Sequence, residues 1–302
     1  MTTSSPFRQM SRNVKLAVLA SALFGVGVRP ANAQYAMGVA ALRIEAPNGK
    51  RSLILGSLHV ASVLLREPAV SALQGAKVFV TEHDSGMPDP ADSAAHGRLA
   101  EWAKNLTDEE LTTYFARATC AGISKERAAK MLTYRSVQSA NQVAYTVCGD
   151  AQLSPSRDIY MARLAQHLDH QTLEDWRWVE SQRHKLLVED AAVALRWILH
   201  REPRAVIDAV ALALNEGDYE RIATLTQSSQ GGGEPASRAY DIMVKQRNDA
   251  WMSRLTQSLD AGDALVLVGA VHLPGPDGLI ARLAAKGYIV RKVTLPGVLP
   301  RN

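Results

Sequence analysis

One short pattern occurs twice, once near each end of the chain: Leu53-Ile54-Leu55-Gly56-Ser57-Leu58-His59 and Leu265-Val266-Leu267-Val268-Gly269-Ala270-Val271-His272. In each copy an apolar, β-rich run ends in Gly-x-x-His. Such a run reads as a buried strand, and the histidine then falls just beyond its carboxyl end, where open α/β sheets place their ligands. After His59, Val70 and Leu73 stand at helical spacing before an apolar run over 77–82. After His272, Leu279, Ile280 and Leu283 precede a run over 288–295. The two segments form a degenerate strand-His-helix-strand duplication.

The remaining elements fall around these two units. Ala41 to Glu45 and Leu53 to Leu55 flank Asn48-Gly49, the signature of a hairpin. A Pro- and Asp-containing break covers Gly86 to Asp92. From Thr107 to His200 the pattern is helical, opening on a capping box in which Thr107 precedes Glu110. Gly231-Gly232-Gly233 lacks the Gly-Lys-Ser/Thr ending of a phosphate loop and reads as a linker or mobile loop. Tyr240 to Leu259 carries Ile242, Met243, Trp251 and Leu255 on the face of a helix that packs on the returning sheet. The expected fold is α/β: a central mixed sheet built from the two units, with a large helical insertion at about 93–235.

Residues 1–33 read as a secretory signal. Arg8, Arg12 and Lys15 make a basic start, Leu16 to Val28 an apolar stretch too short to span a bilayer, and Ala31-Asn32-Ala33 a cleavage site before Gln34. The expected mature chain is 34–302, periplasmic or secreted, with no stable membrane span. An uncleaved amphipathic anchor is the alternative. The net charge of +4 is carried by Arg8, Arg12, Lys15 and Arg29, all inside that segment, so the mature protein is formally neutral. Nucleic acid is therefore not an expected partner. Cys120 and Cys148 are the only cysteines; an even pair in an exported chain favours a disulfide over two buried thiols, and the lack of C-x-x-C spacing argues against redox catalysis.

The candidate chemistry lies at strand ends. His59, His272 and Glu82, which ends the run Val78-Phe79-Val80-Thr81, are expected to converge on one rim of the sheet. Two imidazoles and a carboxylate suit a divalent metal, Mn, Co or Zn, with an open position for water. A structural histidine at a strand end is the plainer alternative. Strand alternation sets Asp84 on the side of Glu82 and turns His83 away. Gly56 and Gly269 permit close backbone approach before each histidine. Arg247, followed by Asn248, sits on the helix before the second motif, where it would orient Glu82 or neutralise an anion, unless it is a surface arginine beside a capping asparagine. Trp176, Trp178 and Trp197 are packing candidates. Neither a Gly-x-Ser-x-Gly elbow nor a His-Glu-x-x-His helix occurs, which counts against a lipase-like serine enzyme and a zincin.

At these residues the chain resembles the TraB/GumN/PrgY superfamily, especially its exported GumN-like branch, and more distantly the TIKI metalloproteases and erythromycin esterases. The resemblance is carried by Leu55-Gly56-Ser57-Leu58-His59, Val80-Thr81-Glu82-His83-Asp84, Gln246-Arg247-Asn248-Asp249-Ala250-Trp251, the segment Val268 to Leu279, and Gly287-Tyr288-Ile289-Val290. It implies a fold similar to erythromycin-esterase and ChaN-like proteins, and an active site at His59, His272, Glu82, Arg247 and Asn248. Gln246 departs from the acidic residue that often precedes Arg-Asn. The segment Asp169 to Glu180 matches poorly, with Glu180 a provisional site residue. The function so implied is a periplasmic metal-dependent hydrolase of peptide or amide bonds, esters being the nearest variant, with a peptide or small molecule as substrate. The alternatives are a non-catalytic binding module for haem, a metal or a cell-envelope component, and an accessory protein of polysaccharide or surface assembly.

Overall fold

The hairpin forms where the Asn48-Gly49 turn allows it: β1 (Gly38–Glu45) and β2 (Arg51–Ser57) run antiparallel with Glu45 opposite Arg51, and Gly49 takes a left-handed φ of 81°. The structure is a computed structural model that describes residues 37–83, 98–229 and 231–298. The expected signal at 1–33, the break at 86–92 and Asp84 lie outside the described residues. Five further strands, β3 (Glu67–Pro68), β4 (Val78–Thr81), β5 (Asp169–Thr172), β6 (Ala264–Gly269) and β7 (Ile289–Val298), complete a seven-stranded sheet of order β3-β7-β1-β2-β6-β4-β5. β2, β6, β4 and β5 lie side by side and parallel; β1 is antiparallel to β2 and β7, and β3 to β7. The sheet is mixed, as expected, and the two Gly-x-x-His strands are direct neighbours.

All six residues of β6 are buried because both faces of the sheet are covered. Val266 and Val268 point with Ile54 into a core that includes Trp251, Leu255 and Leu259 of the helix Gln246–Ala261. Leu265 and Leu267 point with Leu55 to the other side, against Phe79 and Met161. This two-residue alternation fixes the strand register, since a slip of one residue would exchange the two faces.

Helices fill most of the span between β4 and β6 and enclose a separate core around Trp102, Tyr114, Met131, Leu195 and Ile198. The predicted capping box is present at the helix Asp108–Cys120, Thr107 and Glu110 satisfying each other's backbone amides. Cys120 and Cys148 are joined in a disulfide, and closing a loop of this length removes about 3–4 kcal/mol of chain entropy from the unfolded state. Among the described residues no helix is long and apolar enough to cross a membrane.

One expectation needs correction. The helical insertion is not all helix, because Asp169–Thr172 returns to the sheet as edge strand β5, paired with β4. Its residues Asp-His-Gln-Thr are mostly exposed, so no alternation of apolar side chains marks it in the sequence. Gly231, Gly232 and Gly233, expected as a linker or mobile loop, lie at the connection between two helices. All three have positive φ and turn the chain from the helix Tyr219–Ser229 into the helix Gly233–Tyr240.

Candidate active site

The four parallel strands each end in a site residue. Ser57 pairs with Gly269, and Thr81 with both Leu267 and Thr172, so the residues just beyond them share one rim. These are His59 after β2, His272 after β6, Glu82 after β4 and Glu174 after β5. The strand pairing continues past the last ladder residues, the Glu174 amide donating to the Glu82 carbonyl at 2.9 Å. Carboxylates from adjacent strands thus lie side by side, which needs a cation between them.

Arg247 is that cation. Its Nη2 donates to Glu82 Oε2 at 2.6 Å and to Glu174 Oε1, while its Nε donates to Glu174 Oε2 at 3.1 Å. Its Nη1 reaches the Met243 carbonyl at 3.2 Å and His272 Nε2 at 3.3 Å. Met243 belongs to a π-helical turn, Asp241–Lys245, that leads into the helix Gln246–Ala261; such turns recur at functional sites. Trp251, one turn further on, donates to Glu174 Oε2 at 2.7 Å and packs its ring against His272, with centroids 4.3 Å apart. Glu82 Oε1 accepts the Gly269 amide at 2.5 Å. All of these side chains are buried.

Asn248 fixes the second histidine. Its Nδ2 donates to the carbonyls of His272 and Asp277 at 3.2 and 2.9 Å, so its Oδ1 is the acceptor facing His272 Nδ1 at 2.8 Å. His272 therefore carries its proton on Nδ1 and turns an Nε2 lone pair to Arg247. His59 is held differently: Asp158, on the helix Arg157–Leu164, sits 3.0 Å from Nδ1, and Nε2 faces Glu82 Oε1 across 3.9 Å. Arg157 anchors this arrangement from below by donating to the Gly56 carbonyl at 2.8 Å and to Glu67 at 3.1 Å.

With both Gly-x-x-His strands, Glu82 and the Arg247-Asn248 pair gathered at one rim, the comparison with known families is decisive: the TraB/PrgY/gumN family model matches residues 40–292. The chain belongs to this family. No curated protein and no solved structure matches it significantly.

The electrostatics of this TraB/PrgY/gumN site split its ionisable groups. Burial alone would raise Glu82, but the Arg247 guanidinium, helped by the Gly269 amide, holds it well below the usual carboxylate range. Burial pushes Glu174 up, with Arg247 opposing. Burial also drives His272 down to about 3 against the pull of Glu82, which keeps it neutral. His59 goes the other way, pushed up to about 9 by the charge of Asp158 against the effect of burial. The His59 side chain is 47% exposed, so with Asp158 it forms the solvent-facing side of the network. The two imidazoles thus differ in charge state at neutral pH.

Most predicted site residues meet here: His59, Glu82, His272, Arg247 and Asn248. Gly56 lies behind them, where a Cβ would stand 2.9 Å from Leu214. Glu180 does not join the carboxylates. It pairs with Arg183 and His184 at the end of its own helix, at 3.2 and 3.1 Å, and those two residues line the cleft. Glu174 takes the place expected of Glu180. Its signal was its position two residues past β5, invisible while that strand was unrecognised; Asp158 has no local signature either, and Trp251 is legible only as a core position of its helix.

The expected three-ligand metal centre does not fit this arrangement. Both nitrogens of His272 are engaged, by Asn248 and by Arg247, and both oxygens of Glu82 are engaged by Arg247 and Gly269. A cation at His59, Glu82 and His272 would have to displace a guanidinium from two of its ligands. Among the described residues no group of three His, Cys, Asp or Glu side chains is disposed to hold a metal ion.

Gly269 stands at the centre of the site. A Cβ there would lie 3.0 Å from His59 Nε2 and 3.1 Å from Glu82 Oε1. Gly269→Ala is expected to lower any turnover at least tenfold by pushing these groups apart, while the unfolding midpoint moves little because its φ of −52° suits alanine. Full activity in that variant would show that the narrow approach has no function.

Proposed function

We propose that the protein is a hydrolase of ester or amide bonds in which His59, oriented by Asp158, and Glu82 hold and activate water. The observation that carries this is the 3.9 Å span between His59 Nε2 and Glu82 Oε1, too long for a direct hydrogen bond and suited to one bridging water. With Nδ1–H directed to Asp158, neutral His59 presents the Nε2 lone pair to that water as general base. The water oxygen attacks the carbonyl carbon, and its proton passes to His59 Nε2. The imidazolium then returns the proton to the departing alkoxide or amine, leaving a carboxylic acid. Arg247, charged and buried at the cleft wall, keeps Glu82 ionised and fixes the carboxylate that faces the water.

Membership of the family and the paired histidines support hydrolysis, and His272 serves in this scheme as a neutral wall of the site. Its resemblance to the exported GumN-like branch, the signal-like segment Arg8 to Ala33 and the disulfide support action in the periplasm. The test is turnover of p-nitrophenyl esters and a peptide library by the purified mature chain, with and without a chelator and added Mn, Co or Zn. Turnover that survives chelation and is lost in His59→Ala supports the scheme. Turnover that requires metal would replace it with metal chemistry, and no turnover of any substrate would leave the site a binding module.

A further inference from the structure

The cleft does not end at His59 and Glu82. It continues into the helical part as one cavity of about 930 Å³, near the upper end for a small-molecule site. Much of its wall comes from helical segments between Ile123 and Val244, and the wall is mainly apolar. Buried Val137, Val143, Val147, Ile207, Val210 and Val244 contribute to it. Ile159 and Val188, each 49% exposed, stand among the lining residues and make part of the approach apolar as well.

Two polar groups of this wall, Tyr145 and Asp190, are engaged by the protein itself. Tyr145 Oη donates to the Ser229 carbonyl at 2.8 Å, and Asp190 is paired with Arg238 through two hydrogen bonds of 2.7 and 2.8 Å. The reactive groups, His59, Glu82 and Arg247, are gathered at the sheet end. A ligand complementary to this shape has a polar, cleavable head and a flexible apolar tail.

We propose that the chamber receives the acyl chain of the substrate, so that the enzyme acts on acyl esters or amides of medium to long chain. The proposal rests on the hydrolase assignment for its chemistry and on the chamber for its specificity. In the reaction, water adds its oxygen to the acyl carbon, the bond to the alcohol or amine breaks, and the fatty acid and the protonated leaving group are released. Each methylene taken from water into an apolar wall favours binding by about two- to fourfold.

The test uses the mature full-length chain in two measurements. In the first, kcat/KM is followed across p-nitrophenyl esters from acetyl to dodecanoyl. The expected rise is at least about fiftyfold between acetyl and octanoyl. In the second, dodecanoate binding to His59→Ala is measured by calorimetry, which needs no turnover. Ala194→Phe and Ala239→Phe, on different helices, each place a ring in the chamber. Each is expected to lower dodecanoyl turnover at least tenfold more than acetyl turnover, with thermal unfolding showing that both fold. Ester turnover that is flat with chain length, together with no dodecanoate binding, overturns the chamber assignment and leaves the hydrolase assignment standing. Dodecanoate binding without turnover of any ester does the reverse. Haem binding that gives a Soret band and displaces dodecanoate would likewise overturn the acyl assignment.

Discussion

Replacing Arg247 with alanine is expected to destabilise the protein by about 3–5 kcal/mol, the cost of stranding buried carboxylates without their cation. Glu82 and Glu174 are both buried, and Arg247 donates to both. In the wild type, Glu82 has its pKa lowered from 4.5, so its contribution to stability is present above that value and is lost as pH falls through the folded pKa. Without the guanidinium, burial alone acts on both carboxylates and raises them. The variant then takes up protons on folding, and its deficit relative to wild type should shrink as pH falls through the raised folded values toward 4.5, and further below 4.5 as the wild type loses its own Glu82 contribution. Urea unfolding at pH 7 and pH 4 measures both quantities. Adding Glu174→Gln to the Arg247→Ala background should recover part of the loss, because one of the two stranded charges is gone. Arg247→Lys should recover less, since one ammonium lacks the planar fork that reaches Glu82 and both oxygens of Glu174. A loss below 1 kcal/mol for Arg247→Ala, unchanged between the two pH values, would mean that the network is solvated and the carboxylates need no partner.

How much of this was legible in the sequence follows from where each signal is stored. β2 and β6 announce themselves because both faces are covered and nearly every position is apolar, and the Gly-x-x-His endings place His59 and His272 at one rim. Glu82 follows from the same logic, as the last residue of an apolar run. Arg247 and Asn248 were visible only as a pair on a helix of amphipathic pattern; their burial depends on how that helix lies on the sheet, which periodicity does not encode. Glu174 was missed because β5 is an exposed edge strand with no apolar alternation. Asp158 reaches His59 across 99 residues of separation, and nothing local to either marks the contact. The metal expectation turns on a related point. Counting donors identified His59, Glu82 and His272, but whether their lone pairs are free is decided by Arg247 and Asn248, whose directions appear only in three dimensions.

The strongest effect on activity is expected at His59. His59→Ala should lower kcat/KM by about 10²–10⁴-fold, the usual contribution of a positioned general base. Stability should change little, because the imidazole is half exposed and its partner Asp158 is 37% exposed. The pH dependence separates catalysis from mere packing. Asp158 holds His59 at about 9, so at neutral pH only a small fraction of the imidazole is in the neutral form that can accept a proton. Wild-type kcat/KM should therefore rise with pH and level off near 9. Asp158→Asn removes the charge responsible, and the rising limb should move toward the ordinary histidine value of 6.5. The plateau should fall at the same time, because a weaker base accepts the proton less readily and the ring is less well oriented. The same linkage touches stability only slightly, because solvent screens this half-exposed pair: with its folded pKa raised, the small contribution of His59 is present in full below about 6.5 and fades as pH rises through 9. Combining His59→Ala with Glu82→Gln should cost little more activity than either change alone, since the two groups act on one water. A pH profile that stays in place in Asp158→Asn, or a His59→Ala enzyme within tenfold of wild type, would remove His59 from the chemistry and leave the rim of the sheet as a binding surface.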